Sequence, residues 1–162
     1  MGDFPTGLSF HGVVAVLREV ASRHRLEAES VSLSRAHGRV LAQDVHAPLP
    51  LPPFDNSAMD GFALRHADLH GEHTTLTLSG EQFAGRAHEL HVGEGECVRI
   101  TTGAPMPAGA DTVVIKENAQ VGGIRVTVPG ATAHGANVRL RGEDVAQGDC
   151  VLHAGQVLTP AR

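Results

Sequence analysis

The chain has 162 residues, 41% of them apolar and 19% charged, and a formal net charge of −5. This balance excludes a disordered chain, and a chain of this length removes roughly 70% of its unfolded surface from water, enough for a core without covalent staples. With an acidic balance, no Trp, no Tyr and five Phe, it lacks the basic face and the stacking platforms that nucleic acid needs, so no nucleic-acid partner is expected.

The first predicted element is a helix. Ser9 is placed as its N-cap, and Phe10, Val13, Val14, Leu17, Val20 and Ala21 fall on one face at helical spacing. Arg23, His24 and Arg25 close it at the negative end of the helix dipole. Such a face must pack on the chain's own sheet or on another subunit. Upstream of it, MGDFPTGLSF has no basic n-region and reads as no signal peptide, although MGDFPT fits the short pattern for N-myristoylation. No apolar run reaches membrane-spanning length, so a cytoplasmic chain with no membrane partner is expected.

Glu29–Leu33 reads as a short strand, Ala36-His37-Gly38 as a turn, and Arg39–Ala47 as a further strand. Four prolines (Pro48, Pro50, Pro52 and Pro53) then stiffen the segment 48–65 into an extended entry, after which Asp55, Asn56, Ser57 and Asp60 follow closely. Asp60-Gly61 is a turn signal, and Phe62-Ala63-Leu64 open a β-rich middle. From Thr74 the period is two, with Leu76 and Leu78 on one face, and Gly80–Gly85 reads as a turn. Strands are predicted at Glu96–Thr101 and Asp111–Glu117. Gly122-Gly123 is a two-residue hairpin signal between Gln120-Val121 and Ile124–Val128, and further short strands lie at Asn137–Arg141 and Cys150–His153. Cys97 and Cys150 sit in strand-like contexts with no CxxC, as structural thiols would.

Three stretches carry chemistry. Asp55, Ser57 and Asp60 place carboxylates and a hydroxyl on a stiffened loop; a solvated Asx-rich turn is the competing reading. Thr101-Thr102-Gly103 ends a strand in a Gly/Pro loop, where hydroxyls and amides are free to bind. Arg139 and Arg141 share a face if their segment is extended, and two guanidinium forks suit an oxyanion; the competing reading is an internal salt-bridge network with Glu143 and Asp144. His66, His70 and His73, and again His88 and His91, have metal-like spacing but lie in polar, Gly-bearing sequence and are read as surface residues. No GxSxG, Walker A or GxGxxG is present.

Taken together, PPFDNSAMDGFALR, RITTGAPMPAGADTVVIKE and NVRLRGEDVAQGD followed by AGQVLTPA closely resemble the N-terminal half of the MoeA family, the molybdopterin molybdenumtransferases, which includes the gephyrin E domain. The resemblance runs from about Leu8 to the last residue. It implies a mainly β fold with an N-terminal α-helix, arranged as two interleaved small domains: 1–46 with 142–162, used in dimerisation, and an inserted β module, 47–141. It implies an enzyme that inserts molybdate into adenylylated molybdopterin with Mg²⁺, as a homodimer in which this region contributes half of an inter-subunit site. Asp60, Thr102 and Asp144 stand at catalytic positions, with Asp60 and Asp144 as metal ligands. Asp55, Ser57, Arg139 and Arg141 are the substrate-binding candidates. The family's pterin-binding domain follows Thr159-Pro160, so the chain alone is expected to be inactive, and Phe62 stands where some relatives have Tyr. The alternative is a non-catalytic dimerisation or scaffold module of the gephyrin type.

Overall fold

A computed structural model of the protein describes residues 6–24, 26–85 and 89–161. The start of the chain, Arg25 and His88 lie outside the described residues. The chain divides into two units, one formed by 1–44 and 153–162 and the other by 45–152. The sequence reading places these cuts at 46/47 and 141/142.

In the first unit, α1 (Phe10–Arg23) begins where the Ser9 hydroxyl accepts the Gly12 N–H at 3.2 Å. The helix is amphipathic as its spacing predicts, but none of its residues is buried. No strand forms at Glu29–Leu33; a single 3-10 turn, Leu33–Arg35, takes its place. That stretch carries Ser30, Ser32 and Ser34, whose hydroxyls favour local turn bonds over a ladder. Arg39–Ala47 is no continuous strand either. Within it Val40 bridges Val157, and Leu158 N–H donates to Arg39 O at 2.8 Å.

The second unit holds the strands. β1 (Val45–His46) lies near its start, followed by β2 (Asn56–Ser57), β3 (Gly61–Leu64), β4 (His73–Gln82), β5 (Glu96–Ile100) and β6 (Thr112–Ile115). β7 (Gln120–Gly122), β8 (Arg125–Pro129), β9 (Val138–Arg139) and β10 (Cys150–Leu152) complete it. β1 pairs with β10 and β2 with β9, while the other six form one sheet in the order β6-β3-β5-β4-β8-β7. Among the described strands of this sheet, β4 and β5 pair in parallel and the other neighbours antiparallel.

The period-two reading of β4 holds, with Thr74 and Leu76 buried between exposed neighbours. The strand runs on through Gly80 to Gln82, past the predicted turn, with a register shift between Leu78 and Gly80. A bulge there lets a glycine stay within a strand. The hairpin joining β7 and β8 turns at Gly123 and Ile124, one residue later than predicted, because Gly123 takes the positive φ of 63°.

The two edge strands, β6 and β7, are joined by residues 116–119 alone. Six flat strands would hold their edges about 24 Å apart, while five extended residue steps reach at most about 18 Å. The sheet therefore curls. One face gathers Phe62, Leu64, Leu76, Cys97, Val114, Val126 and Val128 into one core cluster. The other face packs Ala63, Ile100, Ala104 and Val113, with Met106 and Val138 against them.

Gly61 corrects the turn reading of Asp60-Gly61. It is the first residue of β3, between β5 and β6, and an added Cβ would stand 2.0 Å from Val114 O. The glycine is needed for close backbone approach, not for a left-handed turn. Gly61→Ala is expected to lower unfolding stability by about 2–4 kcal/mol, read from urea denaturation, because the clash is with backbone that cannot move aside.

Candidate active site

Asp60 ends the loop between β2 and β3. Its backbone is fixed by the sheet next door, where Lys116 N–H donates to Asp60 O at 3.0 Å. Its Oδ1 accepts both the Thr102 N–H and the Thr102 hydroxyl, each at 2.9 Å. Lys116 Nζ lies 3.3 Å from Oδ2. The Thr102 amide, then the Thr102 hydroxyl, then Lys116 draw the carboxyl down to a pKa of about 2. Asp60 and Thr102, forty-two positions apart, are thus one hydrogen-bonded unit.

That unit borders a cleft of about 320 Å³ lined by Asp60, Phe62, Leu78, Arg99, Thr101, Lys116 and Val121 among others. Arg99 is opposite Phe62 across the β3–β5 ladder and lies 3.4 Å from Glu81 on β4. Lys116 and Arg99 were not picked out by the sequence. Both belong to the cleft only because β5 and β6 flank β3, and that pairing has no local sequence signal.

A second group lies around 139–144. β9 ends at Arg139, so Arg141 falls in the following turn and does not share a strand face with it. Arg139 Nε donates to Glu143 at 2.7 Å and its Nη2 to Asp144 Oδ2 at 2.5 Å. The hydrogen bond to Glu143, then that to Asp144, raise the guanidinium pKa further. The internal network therefore takes up Arg139. Arg141 has no ion pair among the described residues, and its backbone N–H donates to Asp55 Oδ1 at 2.7 Å.

The two-residue strand β2 joins these groups. On one side Ser57 N–H donates to Ala104 O at 3.0 Å and Gly103 N–H to Ser57 O at 2.8 Å. On the other side Asn56 and Ser57 pair with Arg139 and Val138. Ser57 is fully buried and its hydroxyl turns back to Met59 O at 2.6 Å, so it holds the loop's shape. Among the described residues no hydrogen bond links Asp60 or Thr102 directly to Asp144.

His66 serves the fold, while His70, His73 and His91 are exposed, as the sequence reading has them. His66 Nε2 meets Thr132 O at 3.1 Å, while Asp68, buried beside it, accepts the Gly95 N–H at 3.0 Å. Among the described residues, no group of three or more close metal-ligating side chains contains Asp60, Asp144 or any of His66, His70, His73 and His91. Cys97 is buried, and that burial, with Glu96 nearby, pushes its thiol up to about 12.

The sequence and fold match a known family. The family described as MoeA N-terminal region (domain I and II) matches residues 9–162, and the chain belongs to it. It is 41% identical over 157 residues to "Molybdopterin molybdenumtransferase 2" of Mycobacterium tuberculosis, covering 90% of this chain and 39% of that one. The "Molybdopterin molybdenumtransferase" of Haemophilus influenzae is 38% identical over 135 residues, covering 83% of this chain and 33% of its own length. A crystal structure of the molybdopterin biosynthesis moeA protein from Pyrococcus horikoshii OT3 superposes with a TM-score of 0.78 at 36% identity, over 82% of this chain and 36% of that one. The chain thus spans little more than a third of the length of these relatives. The mainly β fold with one N-terminal helix is that of the family.

The Asp60 carboxyl is expected to titrate with a midpoint of about 2 in ¹³C NMR. Thr102→Val, which keeps the stronger backbone bond, should move the midpoint part of the way toward the ordinary value of about 3.9. Because the folded pKa lies below the unfolded one, the stabilisation from Asp60 is present above the ordinary value and is lost as pH falls through about 2.

Proposed function

We propose that this chain is the N-terminal part of an enzyme of molybdenum cofactor biosynthesis that inserts molybdate into adenylylated molybdopterin, acting in the cytoplasm and supplying half of an inter-subunit site. The observation that supports this most is Asp60, held on a cleft edge by the Thr102 amide and hydroxyl. Three donors on one exposed carboxylate keep it ionised and oriented before any ligand arrives, the preorganisation that electrostatic catalysis relies on. Thr102 positions Asp60. Asp144 presents a second carboxylate across β2, and Arg141, with Asp55 bonded to its amide, offers positive charge to a phosphate.

Mg²⁺ takes oxygen ligands, often one or two carboxylates with substrate phosphates. Asp144 fits, since its Oδ1 has no hydrogen bond among the described residues while Oδ2 takes Arg139. Asp60 fits only once Lys116 leaves Oδ2, because Oδ1 already accepts two bonds. Bound there, the ion supplies neutralisation of phosphate and molybdate charge. Arg139, itself oriented by Glu143, holds Asp144 in place for that role, and β2 holds the loops bearing both acids.

The homodimer is part of the same proposal, and the apolar face of α1 supports it: Phe10, Val13, Leu17 and Val20 are 43–80% exposed. An apolar stripe of this kind suits a second copy of the chain. A scaffold role needs only that stripe. It leaves the Asp60–Thr102 pairing without a purpose, which favours the enzyme.

In the full-length protein, Asp60→Asn is expected to slow AMP release from adenylylated molybdopterin and molybdate by about 10²–10³-fold, with little change in melting temperature on the same preparation. The 162-residue chain by itself is expected to form no cofactor. A full-length Asp60→Asn protein that melts far lower yet inserts molybdenum normally makes Asp60 a structural turn residue. In sedimentation equilibrium, Leu17→Asp is expected to convert a dimer to monomer, and an unchanged mass removes α1 from the interface.

A further inference from the structure

The cleft beside Asp60 holds two cations, Lys116 and Arg99, above a floor of Phe62, Leu78 and Val121. Each cation is paired with one carboxylate, at 3.3 Å for Lys116–Asp60 and 3.4 Å for Arg99–Glu81. Side chains in both pairs are 46–57% exposed, so solvent screens both pairs and neither is hard to separate. Thr101 also lines the cleft. Its Oγ1 accepts the Ala84 N–H at 3.1 Å, and its hydroxyl proton has no acceptor among the described residues.

We propose that this cleft is an oxyanion site, in which Lys116, Arg99 and the Thr101 hydroxyl bind a tetrahedral oxyanion of the phosphate or molybdate type and Asp60 is the built-in stand-in that the anion displaces. The reading deepens the proposed function by naming the residues that receive an oxyanion on this half of the site. Three features support it. The donors are unlike in geometry, a guanidinium fork, a point charge and a hydroxyl, which together reach several oxygens of one anion. The floor is apolar, so it brings no competing acceptor and keeps water from one side. Asp60 loses only the Lys116 contact on exchange, because both Thr102 bonds go to its other oxygen. The carboxylate therefore stays anchored while its partner swings to the ligand.

The test uses this chain at pH 7 and low salt. ¹H–¹⁵N NMR follows the amides of Thr102, Lys116 and Arg99 while inorganic phosphate, pyrophosphate or molybdate is added, with chloride at matched ionic strength as control. Saturable shifts at these amides with phosphate and molybdate, absent with chloride, are expected. Lys116→Gln and Arg99→Gln should each weaken binding about tenfold. Arg125→Gln, an exposed arginine on β8 outside the cleft, should leave it unchanged. Asp60→Asn should tighten binding several-fold, because Lys116 no longer has a competing charge. Absence of saturable shifts, equal effects of Arg125→Gln and Lys116→Gln, or weaker binding in Asp60→Asn overturns the proposal. Spectra of each variant report retained folding directly. Comparing the three anions tells whether phosphate, its dimer or molybdate is preferred. No insertion reaction enters the measurement, so a full-length protein without insertase activity leaves a positive result intact, and an active one does not rescue a negative result.

Discussion

Residues 116–119 span the two edges of a six-stranded sheet, and most of the β unit follows from that short span. Edges that must come within reach of four residues force the sheet to close on itself. Closure collects Phe62, Leu64, Val114, Val126 and Val128 into one core, and it brings β7 round so that Val121 shares a cleft with Phe62 and Arg99. Lys116 starts the connecting span, so the residue that closes the sheet also delivers an ammonium to Asp60. The remaining edges are short, which limits pairing with other chains.

Much of this was legible in the residues. The alternation of β4, the apolar face and Ser9 cap of α1, and the glycine-marked hairpin of β7 and β8 are local signals, and local signals survive folding when nothing opposes them. The failures share a cause. Gly61 looks like a turn residue until Val114 O is seen 2.0 Å from where a Cβ would be. Glu29–Leu33 has strand-like spacing but no partner strand. Arg139 and Arg141 are separated by the end of a strand only two residues long. Each depends on what packs alongside, which a single stretch does not encode. The same limit applied to the candidate site: motif resemblance singled out Asp60, Thr102 and Asp144, of which the structure bonds Asp60 to Thr102, while Lys116 and Arg99, beside Asp60 in the cleft, were hidden because their place depends on strand order.

The electrostatic arrangement has a consistent logic. The carboxylates around the candidate site are not left bare. Asp60 is held by Thr102 and Lys116, Asp144 by Arg139, and Glu143 by the same arginine. Asp111 shows the same economy away from the site. Burial would raise its pKa, but the His66 N–H, the Thr112 hydroxyl and the nearby His134 and His66 outweigh that and lower it. Asp60 and Asp111 are kept charged by partners of their own, and Arg139 orients Glu143 and Asp144.

β2 has one further consequence. Its two residues bond loop 103–105 on one side and β9 on the other, and its side chains are buried. The separation between the Asp60 and Asp144 loops is therefore fixed by backbone pairing, not by side-chain rotamers. β2 acts as a ruler: a molecule that touches both acids must have its charged groups spaced to match it, and sequence drift elsewhere in the loops can change their chemistry without changing that spacing.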